Sequence, residues 1–293
     1  MIGRPLIVCE LLNLSRGPRM YLLRAGFAVF MAALAAIVWP WGGDAAALEH
    51  GGRSVFLAFF WAEFAAATLL VPALVAPAIA WERERKTLDL LSVAPVSDLE
   101  IVSGKFVAGA ALSLSVLAAG LPVGVAAMVL GGTSPSGLLT TVLHLGAHAV
   151  FVCSLSIVAS ASVARSGPAT ALAVLLTGAF GGVSAIVSAI FGNALSGAGH
   201  PMLSRLAFSS LSPWVGIGRD LLGFETGWLD RCGAWAMLGV FSLIAIRLAG
   251  TILRASRSPG GARRRPVPVA AAATAAIPMA ILPRPAATWH AAG

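Results

Sequence analysis

Charged residues are scarce in this chain of 293 residues, since Asp, Glu, Lys and Arg together make up 11% of it and hydrophobic residues make up 58%. Soluble domains contain about 25% charged residues. This scarcity excludes a soluble globular protein and indicates an integral membrane protein. The expected fold class is all-α, because a helix satisfies its own backbone polar groups inside the hydrocarbon core of a bilayer.

Cysteine is also rare and shows no metal-binding pattern. The three cysteines, Cys9, Cys153 and Cys232, lie far apart in the chain and form no C-x-x-C spacing. Their positions therefore predict neither a disulfide framework nor a zinc site.

The chain has two lysines, and neither completes a phosphate-binding loop. That loop reads G-x-x-x-x-G-K-[ST], so that glycine amides hold phosphate and the hydroxyl holds magnesium. Around Lys105, Leu99 stands where the first glycine belongs and Phe106 stands where the hydroxyl residue belongs. We therefore expect no nucleotide site, no ATPase activity and no cofactor in this chain.

Six stretches are long and apolar enough to cross a bilayer core, which takes about 17 to 25 residues. No Asp, Glu, Lys or Arg occurs from residue 106 to 164, so the Gly- and Ser-rich residues 131–137 are the expected turn between two spans. The predicted spans are residues 21–39, 55–81, 106–130, 138–164, 169–191 and 232–253.

The two ends of the chain differ from the spans. Residues 7–16 place apolar and polar side chains on opposite sides of a helix, which predicts an N-terminal interfacial helix on the membrane surface. Residues 256–293 are rich in Arg, Pro and Ala, which predicts a disordered basic tail. Its apolar run at residues 267–282 is short and contains Pro268 and Pro278, so it is not counted as a seventh span.

Most of the 20 basic residues fall on one side of the membrane once the six spans are drawn. By the positive-inside rule, both termini and the loop between the second and third spans face the cytoplasm. We expect a multi-pass protein of the cell membrane, with Trp214 and Trp228 at a membrane interface. The net charge of +8 then reflects topology and contact with the lipid bilayer, and we expect no nucleic-acid partner.

The densest charge lies between the second and third spans, where residues 81–105 hold nine of the charged residues. After the alternating charges of residues 82–86, Thr87 is placed to cap a short helix, and Pro95 ends that helix. Ser97 and Glu100 have the spacing of a capping box, which begins a helix that runs into the third span. Residues 82–100 therefore predict a helical elbow, whose apolar patch needs cover by lipid or by a partner.

The elbow resembles the signature of a known family. The string E-R-E-R-K-T-L-D-L-L-S-V-A-P-V-S-D-L-E at residues 82–100, followed by Gly104 and Lys105, is similar to the segment between the second and third spans of ABC-2 type transporter permeases. Lys86 stands where glycine is common in that family, and Asp89 where glutamate is common. The order of the interfacial helix and the six spans also resembles that family over residues 1–255, which we expect to form an ABC-2 type transmembrane domain.

The resemblance implies the membrane subunit of an ATP-driven exporter. In that family the elbow is a cytoplasmic coupling helix that sits in a groove of a separate ATP-binding subunit. Residues 192–231 are similar to short re-entrant helices of the family, with a structural plug as the alternative. Expected partners are two ATP-binding subunits, which bind ATP and magnesium, and a second membrane subunit, identical or homologous. The residues implied to couple to the ATP-binding subunit are Glu82, Arg83, Glu84, Arg85, Lys86, Thr87, Leu88, Leu91, Pro95, Ser97 and Glu100.

Glu63 is the only acidic residue well inside a predicted span. Because a charge is costly in a bilayer, its side chain is expected to face the bundle interior or a cavity. Two roles are open at this point: a substrate contact or protonatable gate, and a neutral, hydrogen-bonded packing residue. Two glycine pairs, Gly120 with Gly124 in the third span and Gly178 with Gly182 in the fifth, have the G-x-x-x-G spacing, which predicts close helix contacts within one subunit. Pro72, Pro77 and Pro122 are expected to kink their helices.

His144 and His148 lie one helical turn apart in the fourth span and therefore share one helix face. That spacing suits ligands of zinc, copper or haem, and it equally suits two hydrogen-bonded histidines in the bundle interior. The intervening residues lack the glutamate of the H-E-x-x-H motif, which argues against a metalloprotease. We expect interior histidines and no metal site.

Two other functions are compatible with the same residues. A non-transporting membrane anchor or assembly protein would recruit a cytoplasmic partner through the elbow. A secondary transporter normally has several intramembrane charges and an internal repeat. This chain has one such acid and no clear repeat, which places the secondary transporter last.

Overall fold

The computed structural model describes residues 17–42, 45–85, 97–200, 202–204, 212, 214–215 and 228–257. Over these residues the regular secondary structure is entirely helical. The interfacial helix predicted before residue 17, the centre of the elbow at residues 86–96 and the predicted tail from residue 258 lie outside the described residues. The helices are α1 (Pro18–Val38), α2 (Ala45–Val75), α3 (Pro77–Glu84), α4 (Asp98–Leu117), α5 (Leu121–Val129), α6 (Pro135–Ser162), α7 (Ser166–Gly197) and α8 (Trp228–Arg257).

These helices supply six apolar segments that are long enough to cross a membrane. Each segment overlaps one predicted span, so the predicted all-α membrane fold with six spans is confirmed. The second and third spans extend further toward the elbow than predicted, because α3 continues through Glu84 and α4 already begins at Asp98. The segments are Met20–Val38, His50–Glu84, Asp98–Val129, Pro135–Ser162, Ser166–Gly197 and Arg231–Ser256.

Two spans are interrupted next to a proline. Pro77 lies in the first turn of α3, directly after Ala76, and Pro122 lies in the first turn of α5, directly after the 3₁₀ turn Ala118–Gly120. Proline has no N–H group for the preceding turn, so it fits best at the start of a helix. Pro72, in contrast, stays inside α2. The second span thus consists of α2 and α3 and the third of α4, the 3₁₀ turn and α5, and the junction residues Ala76, Leu117 and Gly120 keep right-handed helical dihedral angles.

The spans alternate in direction, which gives the bundle two faces. The elbow face is the side on which α3 ends and α4 begins, and the far face is the side on which α5 ends and α6 begins. At the far face the backbones of Gly52 and Gly132 approach so closely that a Cβ atom on either residue would collide with the other backbone. Gly131, in the turn before α6, has a φ of 81°, a conformation that favours glycine.

Helix α6 is the central span of the bundle. In its most apolar stretch 67% of the residues are buried, against 6% for α1. A core cluster joins Val71 and Val75 of α2 to Ile157 of α6 and to Leu238 and Leu253 of α8. A movement of α2 or α8 therefore has to be accommodated by α6.

Candidate functional site

Three consecutive charged residues, Glu82, Arg83 and Glu84, end α3 at the elbow face. With 3.6 residues per turn, successive side chains of an α-helix point about 100° apart. The three side chains therefore leave α3 in three directions, and each reaches a different part of the bundle. We call these three residues and their partners the elbow clamp.

The first member of the elbow clamp joins the second span to the third. Glu82 forms an ion pair with Lys105 of α4, with 2.7 Å between Glu82 Oε1 and Lys105 Nζ. Lys105 is 7% exposed, and the carboxylate of Glu82 compensates the charge of its buried ammonium group. The lysine that the sequence placed next to Gly104 is therefore a buried contact between two spans.

The second member joins the second span to the fourth and the sixth. One guanidinium nitrogen of Arg83, Nη2, donates to Ala161 O at 3.0 Å and to Ser256 Oγ at 3.3 Å, and Nη1 donates to Val163 O at 3.4 Å. These carbonyls belong to the last turn of α6 and to the residue after it, where the helix dipole attracts a cation. Arg83 thus caps the central helix at the elbow face.

The third member joins the second span to the fifth. Glu84 Oε1 accepts hydrogen bonds from the backbone N–H of Ser166 at 2.8 Å and from its hydroxyl at 3.2 Å. Ser166 is the first residue of α7, and the N-cap residue Arg165 makes no capping hydrogen bond with its side chain in the described part of the chain. Glu84 therefore supplies, from another helix, the negative charge that the N-terminus of α7 attracts.

The other flank of the elbow is also attached to the bundle. Ser97 and Glu100 form the predicted capping box: Ser97 N–H donates to Glu100 Oε2 at 2.9 Å, and Glu100 N–H donates to Ser97 Oγ at 3.3 Å. Next to it, Asp98 Oδ2 lies 4.0 Å from Arg254 Nε of α8. The first turn of α4 therefore lies next to the end of the sixth span, where Leu99 also approaches Gly250.

The coupling role of all the candidate residues stays a prediction, and one further candidate, Arg85, lies within the described residues. Arg85 is exposed, and its guanidinium carbon lies 4.3 Å from the centre of the Trp81 ring, a cation–π contact. Five other predicted coupling residues lie outside the described residues, and their assignment stays a prediction. They are Lys86, Thr87, Leu88, Leu91 and Pro95.

Glu63 lies in the bundle interior, as the sequence predicted, and is 2% exposed. Its carboxylate faces Gly120, where any side chain would collide with Glu63 Oε1, so the glycine leaves the space that the carboxylate occupies. Both carboxylate oxygens lack a hydrogen-bond partner among the described residues. Glu63 is one of the residues that line a cavity of about 110 Å³, together with Phe59 and Leu117. A cavity of this size admits water, which needs about 10 to 15 Å³.

The structure does not bring the two histidines to Glu63. His148 Nε2 is 3.2 Å from the hydroxyl of Thr68, one turn after Phe64, and the Phe64 ring stacks on the His148 ring at 4.8 Å. Both His144 and His148 are buried. In the part of the chain that the structure describes, no three His, Cys, Asp or Glu side chains group as metal ligands would.

Trp214 corrects the expectation of an interfacial tryptophan. Its ring contacts the Phe64 ring at 5.3 Å and the His148 ring at 5.8 Å, and it lies against Gly181 of α7, where a Cβ atom would collide with it. The segment between α7 and α8 therefore inserts this side chain among the spans. The sequence provides only a weak indication of this contact, because nothing distinguishes Gly181 from the other glycines of a chain that has 32 of them.

Comparison with known proteins adds one positive finding. A search of curated proteins finds no match to the chain. The sequence model described as ABC-2 family transporter protein matches residues 54–218, which include Glu63, the elbow and the residues of the elbow clamp up to Ser166. This match covers more than half of the chain, and the chain belongs to the ABC-2 transporter family.

Proposed function

We propose that this chain, a permease of the ABC transporter class, works as an exporter subunit that is moved by separate ATP-binding subunits docking on the elbow. Family membership supports the transport role and the association with ATP-binding subunits. The observation that carries the coupling role is the elbow clamp, in which adjacent residues of one short helix hold the ends of four other spans. A protein that pushes on the elbow would act on all of these spans together.

The interruption at Pro77 explains how the push would be transmitted. Ala76, between α2 and α3, keeps α-helical dihedral angles, but Pro77 has no N–H group to donate to the preceding turn, so the second span can bend at this junction. Its charged end contacts α4, α6, α7 and α8 directly. We therefore assign α3 the role of a lever. The ATP-binding subunit docks on residues 86–96, and the elbow clamp transmits the movement of α3 to the other spans.

The rest of the assignment follows from the coupling role. The elbow face is the cytoplasmic face of the cell membrane, where ATP is present, and both termini lie on that side. ATP and magnesium bind to two partner subunits, because this chain has no phosphate-binding loop. A second membrane subunit, identical or homologous, completes the transporter.

Glu63 is proposed as part of the transport pathway. It faces the 3₁₀ turn Ala118–Gly120, the point at which the third span changes helix type. Helix interruptions at mid-membrane depth are tolerated where protein or a water-filled cavity satisfies the backbone. A carboxylate beside such an interruption can change its protonation when the cavity opens to water, which makes it a candidate gate.

The test measures separately whether an ATP-binding subunit binds to the chain and whether its ATPase activity depends on the elbow clamp. The chain is coexpressed with a candidate ABC ATP-binding subunit, purified and placed in vesicles, and copurification and ATPase activity are measured. Leu88→Glu with Leu91→Glu is expected to abolish copurification. Arg83→Gln is expected to keep copurification, because it leaves the docking surface unchanged. It is expected to lower the vesicle ATPase activity, because α3 then loses the contacts of Arg83 with the ends of α6 and α8.

The control is Arg165→Gln, which removes an exposed arginine at the same membrane face without changing the elbow clamp. It should leave copurification and ATPase activity unchanged. Absence of any copurifying ATPase would favour the alternative function, a membrane anchor that recruits a different partner through the elbow. Equal ATPase activity of the Arg83 and Arg165 variants would refute the lever.

A further inference from the structure

A second cavity, of about 470 Å³, lies at the elbow face between α1, α2, α3 and α4. Its volume is within the range of about 300 to 1,000 Å³ that is typical of ligand sites in proteins. Most of its wall is apolar and comes from Met20, Leu74, Ala78 and Leu112. The cavity is distinct from the one beside Glu63, since the two share no lining residue.

The cavity reaches from the charged end of α3 into the apolar depth of the bundle. Ala73, which lines it, is exposed and precedes Arg85 by twelve residues, a distance of about 18 Å along a helix. At that depth an exposed side chain of a membrane span faces hydrocarbon, because the core of a bilayer is about 30 Å thick. The cavity is therefore open sideways to lipid rather than only to water.

The charged side chains of the cavity are confined to one end. They are Glu82, Arg85 and Lys105, and Glu82 forms an ion pair with Lys105. The arginine adds one positive charge at this end, and its guanidinium group is held over the exposed ring of Trp81. Guanidinium groups suit the planar, bidentate recognition of phosphate, and tryptophan rings favour the level of lipid headgroups.

We propose that this cavity binds an anionic phospholipid of the leaflet at the elbow face. The phosphate lies at Arg85 and Trp81, and one acyl chain follows the wall formed by Ala73, Ala78 and Leu112. An apolar body beneath a single cationic end matches this ligand class in both polarity and charge. Because Glu82 and Lys105 line the same cavity, the lipid contacts the elbow clamp and stiffens the attachment of α3 to α4.

The binding test does not depend on transport. The full chain is placed in phosphatidylcholine nanodiscs that contain a small fraction of phosphatidylglycerol with a photoreactive group at the end of one acyl chain. After illumination, labelled peptides are identified by mass spectrometry. Label is expected on residues 73–81 and 105–112, and an excess of unlabelled phosphatidylglycerol should remove it. Photoreactive phosphatidylcholine at the same fraction should label these peptides less.

Two pairs of variants separate the headgroup contact from the acyl-chain contact. Arg85→Gln should lower the label about fivefold, the usual effect of one basic residue at a membrane surface, whereas Arg165→Gln should not. Ala73→Trp fills the cavity and should remove the label from both lipids. Ala65→Trp changes an equally exposed alanine of α2 that does not line the cavity, and it should leave the label unchanged.

Three results would overturn the proposal. Equal labelling by the two lipids would show that the charged end does not select an anion. Labelling that survives both Arg85→Gln and Ala73→Trp would place the lipid elsewhere. Absence of label from both peptides in the intact chain, as expected if residues 1–16 cover the cavity, would exclude the lipid as its occupant.

Discussion

The contact of Arg83 with the end of α6 leads to the most direct prediction from the structure. Arg83→Gln removes the guanidinium group that donates to Ala161 O, Val163 O and Ser256 Oγ. A glutamine side chain is shorter and neutral, so it cannot bridge these three acceptors. The carbonyls at the end of α6 then lose their cation, and the last turn of the central helix is expected to open more often.

The size of the effect follows from the three distances. A hydrogen bond to a charged group contributes about 1.5 to 3 kcal/mol. The 3.0 Å bond to Ala161 O has ordinary length, whereas the bonds of 3.3 and 3.4 Å exceed the usual limit of about 3.2 Å and count for little. Arg83 is only half-buried, so solvent screening reduces the total to about 1 to 2 kcal/mol.

Hydrogen exchange measured by mass spectrometry on the purified protein tests this value locally. A loss of about 1 to 2 kcal/mol should speed exchange at amides of residues 159–163 by about 5- to 30-fold, while the middle of α6 stays protected. The matched control is Arg53→Gln, because it makes the same charge change on an exposed side chain of α2 near the far face. Equal exchange at residues 159–163 in the two variants would refute the assignment of Arg83 as the cap of α6.

Three further predictions concern single contacts. Glu84→Gln keeps the shape of the side chain but removes its charge, so the first turn of α7 should lose about 0.3 to 1 kcal/mol of protection in the same exchange experiment. Gly120→Ala should lower thermal stability in detergent by about 1 to 3 kcal/mol, because the methyl group collides with Glu63, whereas Gly178→Ala, which meets no atom within 4 Å, should not lower it. Ser97→Ala removes the capping box and should cost about 0.5 to 2 kcal/mol, seen as faster exchange in the first turn of α4; no change would contradict the cap.

Predictions from the sequence were accurate where the deciding interactions are local. The capping box of Ser97 and Glu100 depends on residues three apart in the chain, and it is present. Pro77 and Pro122, two of the three prolines expected to kink a span, each lie in the first turn of a helix, since a missing N–H group acts within one turn. Pro72, the third, lies inside α2, which continues through it.

Residue partners that are distant in the chain were not predicted. Arg83 and Glu84 were assigned to the elbow as coupling residues, but their partners lie about 80 residues further along, at the end of α6 and the start of α7. The alternating charges gave a usable signal, since three charged residues at 100° intervals cannot all face one partner. Their targets depend on which spans lie next to α3, and that arrangement is a property of the packed bundle.

The sequence by itself determined that this protein is an all-α membrane protein with six spans and that a capping box begins the third span. Each of those features rests on the length of an apolar run or on the chemistry of neighbouring residues. Only the tertiary structure decided that Glu63 faces Gly120, that Trp214 contacts His148 and that Glu82 pairs with Lys105. These contacts join different helices, and hydrophobic patterning specifies that a helix is buried without specifying which neighbour covers each of its faces.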